Sequence, residues 1–188
     1  MRVCRSLLAT SNGRTGCLVR GGARGRHWHV DETYLKVRGR WCYLYRAIDR
    51  DGNLVDTMLS EHRDMAAAQA FFRSARAVAG VTPERVTTDG HGSYPRAIRS
   101  TLGRRVVHRT SAHKNNGLEQ DHRGVKGRTR CMRGFKSFAS AERFCRSHDE
   151  LRDFLRLRTR HNQPVPACHS RLIHLRRATS ALAILEAA

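Results

Sequence analysis

Three acidic residues stand in settings that could do phosphodiester chemistry. Asp31 lies in His27-Trp-His-Val-Asp-Glu-Thr-Tyr34, Asp89 in Arg85-Val-Thr-Thr-Asp-Gly90, and Glu119 between Asn115-Asn-Gly-Leu118 and Gln120-Asp-His-Arg123. Carboxylates are hard oxygen ligands, and magnesium usually takes only a few of them from protein. Two such ions, roughly 3.5–4 Å apart, can activate an attacking oxygen and stabilise a leaving one. Each acid also has an ordinary explanation. Asp31 falls inside a strand, where a carboxylate is costly to bury unless paired or metal-bound, so a ligand role outweighs the alternative. Asp89 before Gly90 could simply start a turn, and Glu119 could be a first-turn acid favoured by the helix dipole. Among their neighbours, Glu32 is expected on the opposite strand face from Asp31. Asp49, Asp51 and Asp56 are expected to be solvated around a hairpin turn, and Asp121 to lie off the helical face of Glu119.

Cations cluster beside the third acid. Arg123, Lys126, Arg128, Arg130, Arg133 and Lys136 give six positive charges and no acid between positions 123 and 136. Arg123 and Lys126 share the helical face of Glu119. They could touch a phosphate, or Arg123 could merely pair with Glu119 at i,i+4. An unbalanced run beside a carboxylate favours a nucleic-acid track, with contacts mostly to phosphates.

The elements that must position these groups follow from periodicity. Strands are expected over 27–38, 40–49 and 54–60, with Gly39 and Asp51-Gly52 as breaks. Three consecutive hairpin-linked strands make an antiparallel meander. Ala68, Phe71, Phe72, Ala75, Val78 and Ala79 recur at helical steps, giving a helix over 64–79 with Asp64 as N-cap. A short strand over 84–88 ends at Asp89. Pro95 opens a helix running to about Leu102, with Gly103 as its stop. A strand over 105–109, a helix from about Leu118 and a helix over 139–159 follow. The last is given an apolar stripe of Ala141, Phe144, Cys145, His148, Leu151 and Leu155. The order β-β-β-α-β-α-β-α-α gives an α/β fold, a mixed five-stranded sheet flanked by helices in the ribonuclease-H-like arrangement. Residues 1–26 read as a flexible basic arm, 27–160 as the catalytic domain and 161–188 as a tail with a short helix over 178–186.

Composition limits the partners. The 188 residues carry 36 Lys and Arg against 16 Asp and Glu, a net charge of +20 and a pI near 11.3. One domain of ordinary size with a core of its own fits that length. A polyanion is the default partner, because basic groups release counterions from phosphates. Only four of the 36 are lysines, a tilt that a GC-rich genome would also produce, so not every arginine is a contact. The six cysteines show no C-x-x-C pair, and no four-ligand zinc set is visible, although His27 and His29 alternate on a strand and Cys168 adjoins His169. Reduced thiols in a cytoplasmic protein are expected. No apolar run approaches the ~20 residues of a membrane span.

Several motifs together resemble the DDE transposases of bacterial insertion sequences, specifically the IS-six family. They are His29-Val-Asp-Glu-Thr-Tyr34 with Val37-Arg-Gly-Arg-Trp41, Tyr43-Leu-Tyr-Arg-Ala-Ile-Asp49, and Thr88-Asp89 with Tyr94-Pro95. Asn115-Asn116 with Glu119-Gln-Asp-His-Arg123 and Lys126, and Met132-Arg-Gly-Phe-Lys-Ser-Phe138, complete the set. The resemblance covers about residues 27–158. It implies an integrase-like fold, Asp31, Asp89 and Glu119 as a metal-binding catalytic triad holding Mg2+ or Mn2+, most simply two ions, and Lys126 as the associated basic residue. It also implies DNA partners, namely insertion-sequence ends and target DNA, a homo-oligomer, and a reaction in which water cuts the element's ends and the freed 3′-hydroxyl attacks target DNA.

The chain departs from the family pattern in three places. Residues before Asp31 do not look like the family's helix-turn-helix module. The 29 residues between Asp89 and Glu119 are fewer than is usual, with the shortage after Leu102. Ser111 to Lys114, Gly127 to Cys131 and the tail after Arg160 fit poorly. A truncated or inactive copy is the corresponding expectation. Two other functions compete: a non-catalytic basic nucleic-acid-binding protein on the same fold, and a ribonuclease-H-type nuclease.

Overall fold

A computed structural model describes residues 25–111, 116–132, 134–155 and 166–186. Five strands and five helices run in the order β1 (His27–Val37), β2 (Arg40–Asp49), β3 (Leu54–Ser60), α1 (Met65–Ala79), β4 (Arg85–Thr88), α2 (Tyr94–Thr101), β5 (Val107–Thr110), α3 (Asn116–Arg130), α4 (Phe138–Leu155) and α5 (Ala167–Glu186). The sheet order is β3-β2-β1-β4-β5, with β1–β2 and β2–β3 antiparallel and β1–β4 and β4–β5 parallel. This is the mixed ribonuclease-H-like sheet expected from the element order.

Two apolar layers hold the sheet. On one face Trp28, Val30, Tyr45, Ala47 and Val55 pack against Ala68, Phe71, Phe72 and Ala75 of α1 and Ala97 and Ile98 of α2. Each such large side chain contributes about 1.5–3 kcal/mol by leaving water. On the other face Leu35, Val37, Cys42 and Leu44 meet Val125 of α3, Phe135, and Ala141 and Cys145 of α4. Both layers follow from the two-residue alternation of β1, which sends Trp28 and Val30 one way and Leu35 and Val37 the other.

Local signals set the element ends. The Asp64 carboxylate accepts from the Ala67 N–H at 2.7 Å as the N-cap of α1, and Gly80 closes that helix in the left-handed conformation at φ 69°. The β1–β2 turn places Arg38 at φ 51° and Gly39 at φ 78°, the pair of positive angles that a two-residue hairpin requires.

Three expectations need correction. Asp49 is not solvated: it is 1% exposed, and its carboxylate accepts from the backbone N–H groups of Gly25, Asp51 and Asn53. It therefore organises the β2–β3 hairpin from inside. The buried stripe of α4 runs through Ala141, Cys145 and Asp149 at four-residue steps, while Leu151 is 57% exposed. Asp149 is drawn inward by Arg46. The tail helix is also longer than expected, starting at Ala167 directly after Pro166 rather than at 178. Its apolar residues spread around the helix, so no stripe marked its start.

The chain divides into two compact units with a boundary between Asp149 and Glu150. In the second, Arg177 donates to the Phe154 carbonyl at 2.7 Å, tying α5 to the last residues of α4. The four described cysteines are free thiols; Cys4 and Cys17 lie outside the described residues. Among the described residues no helix is long and apolar enough to cross a membrane.

Candidate active site

The site forms where two strands part. β1 pairs with β4 only through His27, Trp28 and His29, opposite Arg85, Val86 and Thr87. Asp31 and Asp89 each lie two residues past the last of these pairs. They therefore stand together just past the carboxyl end of the parallel β1–β4 pairing, where open α/β sheets leave a crevice for ligands. One oxygen each from Asp31, Glu32 and Asp89 lies within 4.8 Å of the others, a grouping able to hold a metal ion.

Glu32 enters this group from the opposite side of β1, as alternation requires. Its Oε2 accepts the Tyr94 hydroxyl and its Oε1 accepts Arg63, and its side chain is only 3% exposed. Arg63 also reaches Asp89 at 3.5 Å. The Asp89 Oδ1 in turn accepts the His91 N–H at 3.1 Å. Glu32 is thus the hub of a scaffold in which one guanidinium ties the middle of β1 to the residue that follows β4. The hydroxyl of Tyr94 is pushed well above its ordinary value, first by burial and then by the neighbouring Glu32, so it remains a donor.

Asp31 faces the α3 and α4 layer. Its Oδ1 accepts the Glu32 N–H at 2.9 Å, and the His122 Nδ1 lies 4.0 Å from its Oδ2. Burial, with Arg46 and Lys126 nearby, pulls the imidazole of His122 down to about 4. It is neutral near pH 7, so its approach to Asp31 is not an ion pair. Directly across β2 from Asp31 sits Arg46, 1% exposed and paired in bidentate fashion with Asp149 of α4. Burial alone would raise the Asp149 carboxyl, but the hydrogen bond from His148 and the charge of Arg46 hold it below its ordinary value.

The other expected residues are placed as follows. Glu119 lies in α3 one turn before His122, the residue beside Asp31, but its own side chain is outside the described residues, as is that of Asp121. Arg123, Lys126, Arg128, Arg130 and Lys136 are exposed, and Arg133 is outside the described residues. Sequence reasoning passed over Arg63, Tyr94, His122, Arg46 and Asp149 as working parts. One signal was available: an arginine inside the apolar run of β2 must find a buried partner.

A family model described as a DDE domain matches residues 25–158. The transposase for insertion sequence-like element IS431mec of Staphylococcus aureus is 40% identical over 105 residues, 54% of this chain and 46% of that protein. The transposase for insertion sequence element IS257 in transposon Tn4003, also from Staphylococcus aureus, matches with the same identity and shares. The chain thus spans about half the length of the curated relatives it matches. Among solved structures, a chain of the simian T-cell lymphotropic virus intasome in complex with PP2A regulatory subunit B56 gamma has a TM-score of 0.52 at 16% identity, covering 79% of this chain and 59% of that one. That likeness concerns the fold.

Proposed function

Because the chain belongs to the DDE domain family of bacterial insertion-sequence transposases, of the IS-six type, we propose that it cuts DNA at the ends of an insertion sequence and joins the freed 3′-hydroxyl to target DNA. Asp31, Asp89 and Glu119 are its catalytic acids. The observation that carries this reading is the convergence of Asp31 and Asp89, 58 positions apart in sequence, within 4.8 Å at the parting of β1 and β4. Two carboxylates so close repel each other; Arg63 offsets part of that at Asp89, and a cation between the two would offset more.

The donor set suits Mg2+ or Mn2+, which favour carboxylate oxygen. When bound, two such ions supply charge stabilisation at the phosphodiester and lower the pKa of an attacking water. Asp31 and Asp89 would hold them, with Glu119 as the third ligand from α3. Glu32 is assigned a different task, because Arg63 and Tyr94 already occupy both its oxygens. It fixes the backbone from which Asp31 projects. Arg123, Lys126, Arg128, Arg130, Arg133 and Lys136 take phosphates of the bound DNA, which positions the strand without reading its sequence.

On this reading 27–160 is the catalytic domain, residues 1–26 form a basic arm along DNA, and 161–188 form a separate tail. Joining two element ends calls for a homo-oligomer, and DNA as substrate sets the protein in the cytoplasm.

The test is magnesium-dependent nicking and strand transfer on DNA carrying the element's ends. Asp31→Asn, Asp89→Asn and Glu119→Gln should each lower the rate by roughly 10³-fold, the equivalent of several kcal/mol of transition-state stabilisation. DNA affinity should be nearly unchanged. Nicking that survives all three substitutions sinks the assignment. Tight, salt-sensitive DNA binding with no nicking by the unaltered chain would leave the non-catalytic alternative, and preferential cutting of an RNA–DNA hybrid would favour the nuclease.

A further inference from the structure

Beyond His29 the rest of β1 has no β4 neighbour, and its hairpin with β2 carries an exposed strip. Tyr34 is 53% exposed and Trp41 51% exposed, and their rings meet edge to face at 5.0 Å. The Lys36 ammonium sits 4.7 Å from the centre of the Trp41 ring, and the Lys126 ammonium 4.4 Å from the centre of the Tyr34 ring. The strip thus reads cation, ring, ring, cation. It holds two of the chain's four lysines, and Lys126 reaches it from the helix that bears Glu119.

We propose that Tyr34 and Trp41 form a stacking platform for an unpaired base of single-stranded DNA beside the reacting phosphodiester, with Lys36 and Lys126 taking the flanking phosphates. The proposal rests on the transposase reading above and names a part of the substrate that reading leaves open. Paired DNA offers a protein its phosphates and groove edges, while its base faces are buried in the stack. Exposed ring faces are therefore useful to a nucleic acid only where bases are unpaired. Alternating cations and rings match alternating phosphates and bases.

Magnitudes favour the exchange. An exposed ammonium over a ring is worth about 0.5–1 kcal/mol, whereas a base stacked on an aromatic side chain is worth about 1–3 kcal/mol. An incoming base displaces the lysine from the ring, and the freed ammonium meets a phosphate. Location supports the same partner. Tyr34 lies three residues beyond Asp31, about 10 Å along an extended strand, and the Lys126 over its ring comes from α3, one turn past the His122 that stands beside Asp31, so a nucleotide on the platform lies close to the proposed point of cleavage.

The test uses the full chain in magnesium-free buffer, so cleavage plays no part. Two probes are compared, a blunt DNA duplex and the same duplex with a short unpaired tail. Trp28 is fully buried and Trp41 half exposed, so quenching of the accessible emission reports Trp41, while the emission of Trp28 reports that a variant is folded. The tailed probe should quench Trp41 and bind more tightly than the blunt one. Trp41→Ala and Tyr34→Ala should each weaken tailed binding about tenfold with less than a twofold change on the blunt duplex, and Trp41→Phe should restore most of it. Equal losses on both probes, or no loss, overturn the proposal. So does a result in which Trp41→Ala separates associated copies of the chain while tailed-DNA affinity is unchanged, because the strip is then a contact between copies. Asp31→Asn keeps the two ideas apart: tail preference with nicking that persists in this variant retains the platform while the catalytic assignment fails, and lost nicking without tail preference does the reverse.

Discussion

Arg63 illustrates how much of the site depends on a residue that is not itself a metal ligand. It donates to Glu32 and reaches Asp89 at 3.5 Å, so its loss both frees Asp89 and strands a nearly buried carboxylate. Arg63→Ala should cost about 1–2 kcal/mol of stability, a figure kept small because the guanidinium is itself partly exposed. It should also lower nicking between about tenfold and a hundredfold through misplacement of Asp89. Arg63→Lys keeps the charge but not the fork, and should recover only part of the rate. A thermal melt beside a nicking assay separates the two effects, and a loss of stability with an unchanged rate would show that Asp89 does not need Arg63. His122 makes a prediction in pH. Its charged neighbours are Asp31, Arg46, Lys126 and Asp149, and its folded imidazole protonates only at about 4, against about 6.5 when unfolded. Between those values the unfolded chain binds the extra proton, so stability falls as pH drops, by about 3 kcal/mol at the lower end. His122→Gln should flatten that part of a urea-midpoint profile taken in metal-free buffer. An unchanged slope would show that another group carries it.

At the scale of elements, Arg46 and Asp149 join β2 to α4 with a buried bidentate pair. Removing one partner leaves a buried charge, so Arg46→Met or Asp149→Leu alone should cost about 3–5 kcal/mol. The double variant should cost far less than the sum, and a double-mutant cycle of denaturation midpoints measures the difference. Additive losses would mean that the pair contributes nothing as a pair. The same two residues show where sequence reading stops. Strand alternation and helical periodicity located β1 to β4 and α1 within a residue or two, because a sheet with two packed faces imposes its period on the chain. Asp31 was marked by its place in a strand, and Asp89 by its place after one. The inward turn of Asp149 was not legible, because it depends on a cation 103 positions away. The scaffold of Glu32, Arg63 and Tyr94 was missed for the same reason: each looks ordinary until β1, the start of α1 and α2 are brought together. The burial of Asp49 was missed because its partners are backbone N–H groups, which leave no mark in the side-chain pattern.

The whole molecule carries a net charge of +20, and most of its DNA affinity should be counterion release. A plot of log affinity against log salt should be steep, and alanine at Arg123, Arg128, Arg130 or Lys136 should each reduce the slope by about one. Asp31→Asn should leave the slope in place while removing nicking. A slope that ignores all four cations would put the DNA on another surface. The short β1–β4 ladder has a consequence of another kind. Three backbone residue pairs join β1 and β4, with the Arg63 bridge beyond them, while β1 and β2 share ten pairs. Local opening concentrates where few bonds must break, so this seam should yield before the rest of the sheet. In rising urea the protein should lose its ability to cut while its circular dichroism is still native, and amide exchange should be faster at β4 than at β2. The proposed cutting activity would in effect be the most fragile reporter of the fold.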